Sequence, residues 1–154
     1  MLTGRPKTAA TWSYTMTEDG QTVGRVEVSS FRDQGEIEVD GTTYDVRRSA
    51  PLVGSFVLRE GEATRAQAER TPGGSDRIVV DGRTFELRIL DPVRLDRVLE
   101  EHGQPIGSLR HDGTLNRPVE ADLPRELAPE LRLFVIWIAL LTWKQNPDSF
   151  GGIH

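Results

Sequence analysis

The chain contains no cysteine, which rules out a disulfide framework, a thiol nucleophile and a thiolate metal site. Lysine is nearly absent: Lys7 and Lys144 are the only two, and arginine supplies the other basic side chains. Positive charge is in deficit, with 19 Lys and Arg against 24 Asp and Glu and a formal net charge of −5. Nucleic-acid binders draw most of their affinity from clustered Lys and Arg, so that class is not expected. Non-specific adhesion to anionic membrane is disfavoured as well, although a local basic patch stays compatible with head-group binding. The opening residues, MLTGRPKTAATWSY, lack the apolar core of a signal peptide. The expectation is a cytoplasmic protein whose residues 1–10 form a flexible arm.

What is present is the make-up of one folded domain. The 154 residues are 28% charged and 36% hydrophobic, ordinary values for a globular chain long enough to bury a substantial core. Up to Pro124 the pattern is β: short alternating stretches are punctuated by Asp19-Gly20, Asp40-Gly41, Glu60-Gly61, Pro72-Gly73-Gly74, Asp81-Gly82, His102-Gly103 and Asp112-Gly113. A hairpin is repeated without gaps, Glu36 to Arg48 (EIEVDGTTYDVRR) matching Arg77 to Ile89 (RIVVDGRTFELRI). Asp-Gly between two alternating runs favours a type I′ turn, which needs positive φ at both central residues. The two-residue loop then sets Ile37 opposite Tyr44 and Ile78 opposite Phe85 on an apolar face, with Glu36, Glu38, Thr43, Asp45 and Arg47 on the wet face.

A second echo joins Asp19–Val26 (DGQTVGRV) to His102–Leu109 (HGQPIGSL), and Gly61 falls midway between Gly20 and Gly103, a spacing of 41 to 42 residues. Three successive antiparallel units follow, at about residues 11–48, 54–90 and from 93 onward, the third losing its clear hairpin after His111. Propellers have about four or more blades and carry Trp-Asp dipeptides, which this chain lacks, so a propeller is excluded. In the stretch Gly61 to Glu69 the inward residues are Ala66 and Ala68, small enough to leave room for a bulky occupant.

That occupant is the segment Leu131 to Trp143, LRLFVIWIALLTW. Ten large apolar side chains stand on all sides of it, among them Leu133, Phe134, Ile136, Trp137, Leu140 and Leu141. A helix apolar all round is wrapped by protein or by membrane. From Leu133 to Trp143 it rises roughly 16–17 Å, whereas a hydrocarbon core is about 30 Å thick, and Arg132 and Lys144 bound the run. Exposing the ten would forfeit on the order of 15–30 kcal/mol, more than a domain's typical net stability of about 5–15 kcal/mol. The helix, predicted over about 129–145 with Pro129 at its start and Asn146-Pro147 at its end, is therefore core. The domain runs over 11–146 and residues 147–154 are a loose tail.

A strand-rich chain of repeated hairpins closing on one all-apolar helix resembles the tubby C-terminal-like fold, in particular its LURP-one-related and phospholipid-scramblase-like branches. The residues that carry the likeness are Gly54-Ser55-Phe56, Ala66 and Ala68, Tyr44 and Phe85, Gly103 with Gly107, and Leu123-Pro124 leading into Phe134 and Trp137. The resemblance implies a mainly β (α+β) fold, a closed antiparallel barrel of about 12 strands around a central hydrophobic C-terminal helix. Functionally the family is scattered. Tubby proteins bind phosphoinositides through basic residues, but that site has no residue-by-residue match here. Scramblases are associated with an acidic calcium-binding segment, and no Asp-x-Asp-x-Asp loop ending in Glu occurs. Many similar bacterial members have no assigned activity.

Candidate chemistry is thin. His102 and His111 flank a predicted hairpin with Asp112 nearby, without zinc-type spacing, and are read as exposed turn histidines. Ser108, His111 and Asp112 sit too close on one strand for a nucleophilic triad, and no G-x-S-x-G elbow is present. Glu100 and Glu101 point to opposite faces of a strand, and Gly73-Gly74 lacks the Lys-Ser/Thr of a phosphate loop. What remains is outward-facing Arg47, Arg48 and Arg88, suited to an anionic head group or a partner's carboxylate. The expected protein is a non-enzymatic binding or scaffold module, without metal or cofactor, that meets an anionic phospholipid or a protein partner on the outer wall. The alternative is a membrane-associated, scramblase-like protein whose C-terminal helix inserts in the bilayer.

Overall fold

A computed structural model describes residues 1–7, 12–29, 33–49, 54–111 and 118–146. Among these residues twelve strands precede one helix: β1 Leu2–Pro6, β2 Ser13–Glu18, β3 Gln21–Val28, β4 Gly35–Val39, β5 Thr42–Arg48, β6 Ser55–Glu60, β7 Ala63–Arg70, β8 Asp76–Val80, β9 Arg83–Ile89, β10 Arg97–Glu101, β11 Gln104–His111, β12 Val119–Asp122 and α1 Pro129–Gln145. Each strand from β2 to β12 pairs antiparallel with its sequence neighbours, and β1 closes the barrel between β2 and β12. The Asp-Gly turns set the register as expected: Ile37 lies opposite Tyr44 and Ile78 opposite Phe85. Asp40 and Gly41 have φ of 49° and 79°, and Asp81 and Gly82 have 47° and 77°.

The interior holds α1. Every residue from Leu131 to Trp143 is buried, Leu133, Phe134, Ile136, Trp137, Leu140 and Leu141 included. Among the described residues no helix is long and apolar enough to cross a membrane. Ala66 and Ala68 are buried as predicted, but α1 lies nearest β3 and β4. There Gly24 and Gly35 supply the space: a Cβ on Gly24 would come within 2.7 Å of Leu133 Cδ1, and one on Gly35 within 2.4 Å of Trp137 Nε1. The Trp137 indole N–H donates to the Glu27 carbonyl at 3.1 Å, so a polar atom inside the barrel is paired.

The three predicted units are present as β2–β5, β6–β9 and β10–β12, and each first strand has a bulge at the same place, after Met16, Leu58 and Leu99. The hairpin missing from the third unit is made by β1. Leu2 lies opposite Ala121 as Tyr44 lies opposite Ile37 and Phe85 opposite Ile78. This corrects the reading of residues 1–10 as a flexible arm, because Leu2–Pro6 is a closing strand with Leu2 fully buried. The predicted tail, 147–154, lies outside the described residues.

A meander of this kind has two unlike ends. At one, β2–β3, β4–β5, β6–β7, β8–β9 and β10–β11 are each joined by two residues. At the other, the connections after β1, β3, β5, β7, β9 and β11 are five to seven residues long. The first end receives the start of α1, where Arg132 meets Glu18 at 3.1 Å; the second receives its end, where Thr142 meets Arg97 at 3.0 Å. The two are called here the closed and the open end.

Candidate functional site

Arg47 and Arg48 are the last two residues of β5, and Arg88 is next to last in β9. All three therefore stand at the open end, exposed, yet they do not converge. Three strands separate β5 from β9, roughly 19 Å of wall at about 4.8 Å per strand. Each also has a carboxylate: Arg47 with Asp45 at 3.3 Å, Arg48 with Asp33 at 2.6 Å and Arg88 with Glu100 at 3.0 Å. They are rim cations, not a pocket. On the wall beside them, Arg25 is shared among Glu27, Glu36 and Glu38 at 3.5–3.9 Å, lining an open groove of about 840 Å³ over β2–β4.

Inside the open end lies a polar cluster that residue-by-residue reading did not single out. Arg97, fully buried, donates to Asp76 Oδ2 at 2.6 Å, to Thr142 Oγ1 at 3.0 Å and to the Leu87 carbonyl at 3.3 Å. Asp76 also accepts from Arg70 Nε at 3.2 Å. Burial pulls the Arg97 guanidinium below its ordinary value, against the opposing charge and hydrogen bond of Asp76. The signal that finds this cluster is the internal repeat. In the matching positions of the other units Arg97 is replaced by Tyr14 and Phe56, and Asp76 by Gly35 and Val119. Two inward positions have thus turned ionic together, as a buried pair requires.

The histidines are not alike. His102 is an exposed turn residue with φ of 54°, as expected. His111 is not: it is buried at the end of β11, its ring edge-on to Trp143 with centroids 4.9 Å apart. Its Nε2 donates to the Arg94 carbonyl at 2.9 Å, and Arg94 donates back to the His111 carbonyl. The two histidines sit at opposite ends of an eight-residue strand, roughly 26 Å apart, so they share no site. Asp112 lies outside the described residues. Among the described residues no three His, Cys, Asp or Glu side chains gather to hold a metal ion. Glu100 and Glu101 are separated as expected, one bound to Arg88 and the other to Arg83 at 2.8 Å. Hydrogen bonding from Arg83 holds the Glu101 carboxyl below its ordinary range.

The β9–β10 connection, Leu90 to Asp96, is closed by its own hydrogen bonds. Asp91 Oδ1 accepts the N–H of Val93 at 2.8 Å and of Arg94 at 3.3 Å, the Leu95 N–H reaches the Asp91 carbonyl, and the Leu90 N–H reaches the Asp96 carbonyl. Leu95, at φ of 62°, turns inward onto the core, and its carbonyl accepts from the Trp143 indole at 2.8 Å. Leu90 and Val93 are turned out, 67% and 75% exposed, beside Ile89 at 38%.

No family model, curated protein or solved structure matches the chain. The reading of the site rests on its geometry.

Charge is sorted by end. Among the described residues, the closed-end connections and the two residues of each element next to them carry Glu18, Asp19, Glu38, Asp40, Glu60, Glu62, Asp81, Glu100, Glu101, Asp122, Glu126 and Glu130 against Arg59, Arg83 and Arg125, with Arg132 beside Glu18. The same positions at the open end carry Arg5, Lys7, Arg47, Arg48, Arg70, Arg77, Arg88, Arg94, Arg97, Arg110 and Lys144 against Glu27, Asp33, Glu36, Glu69, Asp76, Asp91, Asp96 and Glu120. An acidic protein thus turns a cationic rim to one side.

Proposed function

We propose that the protein is a tubby-like barrel acting as a non-enzymatic binding module, which docks its open end on an anionic lipid surface. The observation that carries this reading is the segregation of charge between the barrel ends. A net-negative chain is repelled by an anionic surface in most orientations, and only the cationic rim gives an attractive one. The rim is wide and its cations are spread around it, which suits many weak head-group contacts better than one deep site. Arg47, Arg48 and Arg88 suit that mode, since each already has a carboxylate and exchanges it for phosphate on docking.

Co-sedimentation with vesicles tests the proposal. Binding to vesicles of phosphatidylcholine with phosphatidylserine should exceed binding to phosphatidylcholine alone, and should weaken as salt shortens the Debye length from about 10 Å at 0.1 M. Reversing Arg47, Arg48 and Arg88 to Glu should abolish the preference with no loss of folding, because all three are exposed. No binding to the anionic vesicles at low salt overturns the reading.

A further inference from the structure

We propose that the β9–β10 loop is a wedge that enters the bilayer, with Leu90 and Val93 as the inserting side chains; this deepens, and rests on, the docking of the open end on an anionic lipid surface. The loop holds three large aliphatic residues within six positions and treats them differently. Leu95 is folded onto the core, while Leu90 and Val93 are held in water. A mobile loop would expose apolar residues by default, but this one is fixed at five points: two N–H groups on the Asp91 carboxylate, the backbone closures Leu95–Asp91 and Leu90–Asp96, and the Trp143 indole on the Leu95 carbonyl. The outward display is therefore built into the turn. Asp91, between the two aliphatics, spends its carboxylate on the turn's own N–H groups. Arg88 and Arg94 flank Val93 in sequence, Arg88 exposed on the rim and Arg94 half-buried with its guanidinium on the His111 carbonyl.

An apolar tip at the cationic end of an acidic barrel, with exposed Arg88 beside it, matches a bilayer in both respects: head-group phosphates for the rim arginines and acyl chains below them for Leu90 and Val93. An acidic protein partner would satisfy the arginines alone. Penetration adds a component of binding that salt does not screen, since apolar transfer depends on area and not on charge.

The chain's lack of cysteine allows a direct test. A Val93→Cys variant carries a single site for an environment-sensitive fluorophore, and a Glu62→Cys variant places the same probe on a closed-end turn. With phosphatidylcholine–phosphatidylserine vesicles, the probe at 93 should shift to the blue and be quenched by nitroxide-labelled acyl chains, while the probe at 62 should do neither. In co-sedimentation, Leu90→Ser with Val93→Ser should lower affinity at least about ten-fold and remove the fraction retained at about 0.5 M salt. Wild-type binding with an unshifted probe at 93 and an unaffected double variant overturns the wedge but leaves the docking surface standing. No wild-type binding at low salt overturns both.

Discussion

Replacing Asp76 with Val, the residue at the matching position of the third unit, removes the carboxylate that neutralises Arg97. The guanidinium has no route to water, being fully buried. It retains only the Leu87 carbonyl and the Thr142 hydroxyl, and its Nε already lacks an acceptor. Stranding one member of a buried pair costs about 3–5 kcal/mol, which at about 2–4 °C per kcal/mol for a chain of this size lowers Tm by roughly 6–20 °C. Arg97→Phe should cost less, because Asp76 keeps Arg70, whose side chain is 42% exposed. Combining the two, Asp76→Val with Arg97→Phe, installs the apolar residues that the barrel already uses at Val119 and Phe56. The double variant should therefore return to within about 1 kcal/mol of wild type or exceed it. Urea and thermal unfolding, followed by circular dichroism and by the fluorescence of buried Trp137 and Trp143, supply the cycle. An Asp76→Val cost below about 1 kcal/mol, or a double variant no better than the single one, would refute the argument that the pair is a matched replacement within a threefold repeat.

Gly35→Ala should destabilise by about 2–4 kcal/mol through overpacking and loss of the indole hydrogen bond, since its Cβ would lie 2.0 Å from the Glu27 carbonyl oxygen and 2.4 Å from Trp137 Nε1; Gly73→Ala, with open space around it, is the control, and equal melting points for the two would contradict the close approach. Deleting residues 1–6 should leave β2 and β12 with unpaired edges and shift the protein to larger species or aggregate on gel filtration relative to the full chain, with a peptide of residues 1–7 reversing the shift when added in trans; an unchanged melting point would show that β1 is dispensable. Acid should destabilise. Burial alone would raise the Glu18 carboxyl, but hydrogen bonding and charge from Arg132, with Arg125 nearby, outweigh it and hold the group below its ordinary 4.5. A folded value below the unfolded one means the stabilisation is complete above about pH 4.5 and is lost as pH falls through the folded value. Glu18→Gln should flatten the fall in Tm on acidification, and a Tm that rises on acidification would count against the pairing.

Local chemistry made much of the barrel legible. Asp40-Gly41 and Asp81-Gly82 define two turns and, with them, the face of every residue in four strands, because a two-residue loop leaves no freedom in register. The helix is bounded by Pro129, Lys144 and Asn146, and its all-round apolarity, its length and its flanking charges place it inside. Strand β1 was missed because LTGRP has one large inward side chain, Leu2; the position of its second inward residue is Gly4, where a Cβ would lie 2.3 Å from Met16 Sδ. Its strand character comes from the two edges it joins, β2 and β12, the second of them more than a hundred residues away, and no window around it contains that information. Arg97 was missed for the opposite reason. An arginine beside alternating apolar residues reads as outward-facing, and the partners that let it face inward, Asp76 and Thr142, are 21 and 45 residues distant.

The proposed docking surface is legible in its residues but not in its place. Arg47 and Arg88 stand out as repeated cations, with Arg48 beside the first, and the hairpin register puts them outside; whether they share a surface depends on which end of the barrel each connection occupies. In an up-and-down meander that question has a simple answer, because alternate connections fall at the same end. The alternation was already visible in the spacing, with two-residue turns at Asp19-Gly20, Asp40-Gly41 and Asp81-Gly82 and longer stretches between them. Once connections are sorted by parity, the turn carboxylates gather at one end and the strand-terminal arginines at the other, and Leu90 with Val93 falls on the arginine side. Repeat spacing thus does for this chain what an alignment does for others. It marks Arg97 and Asp76 as departures from a shared inward pattern, and it assigns the apolar β9–β10 tip to the same rim as the cations that would bring it to a bilayer.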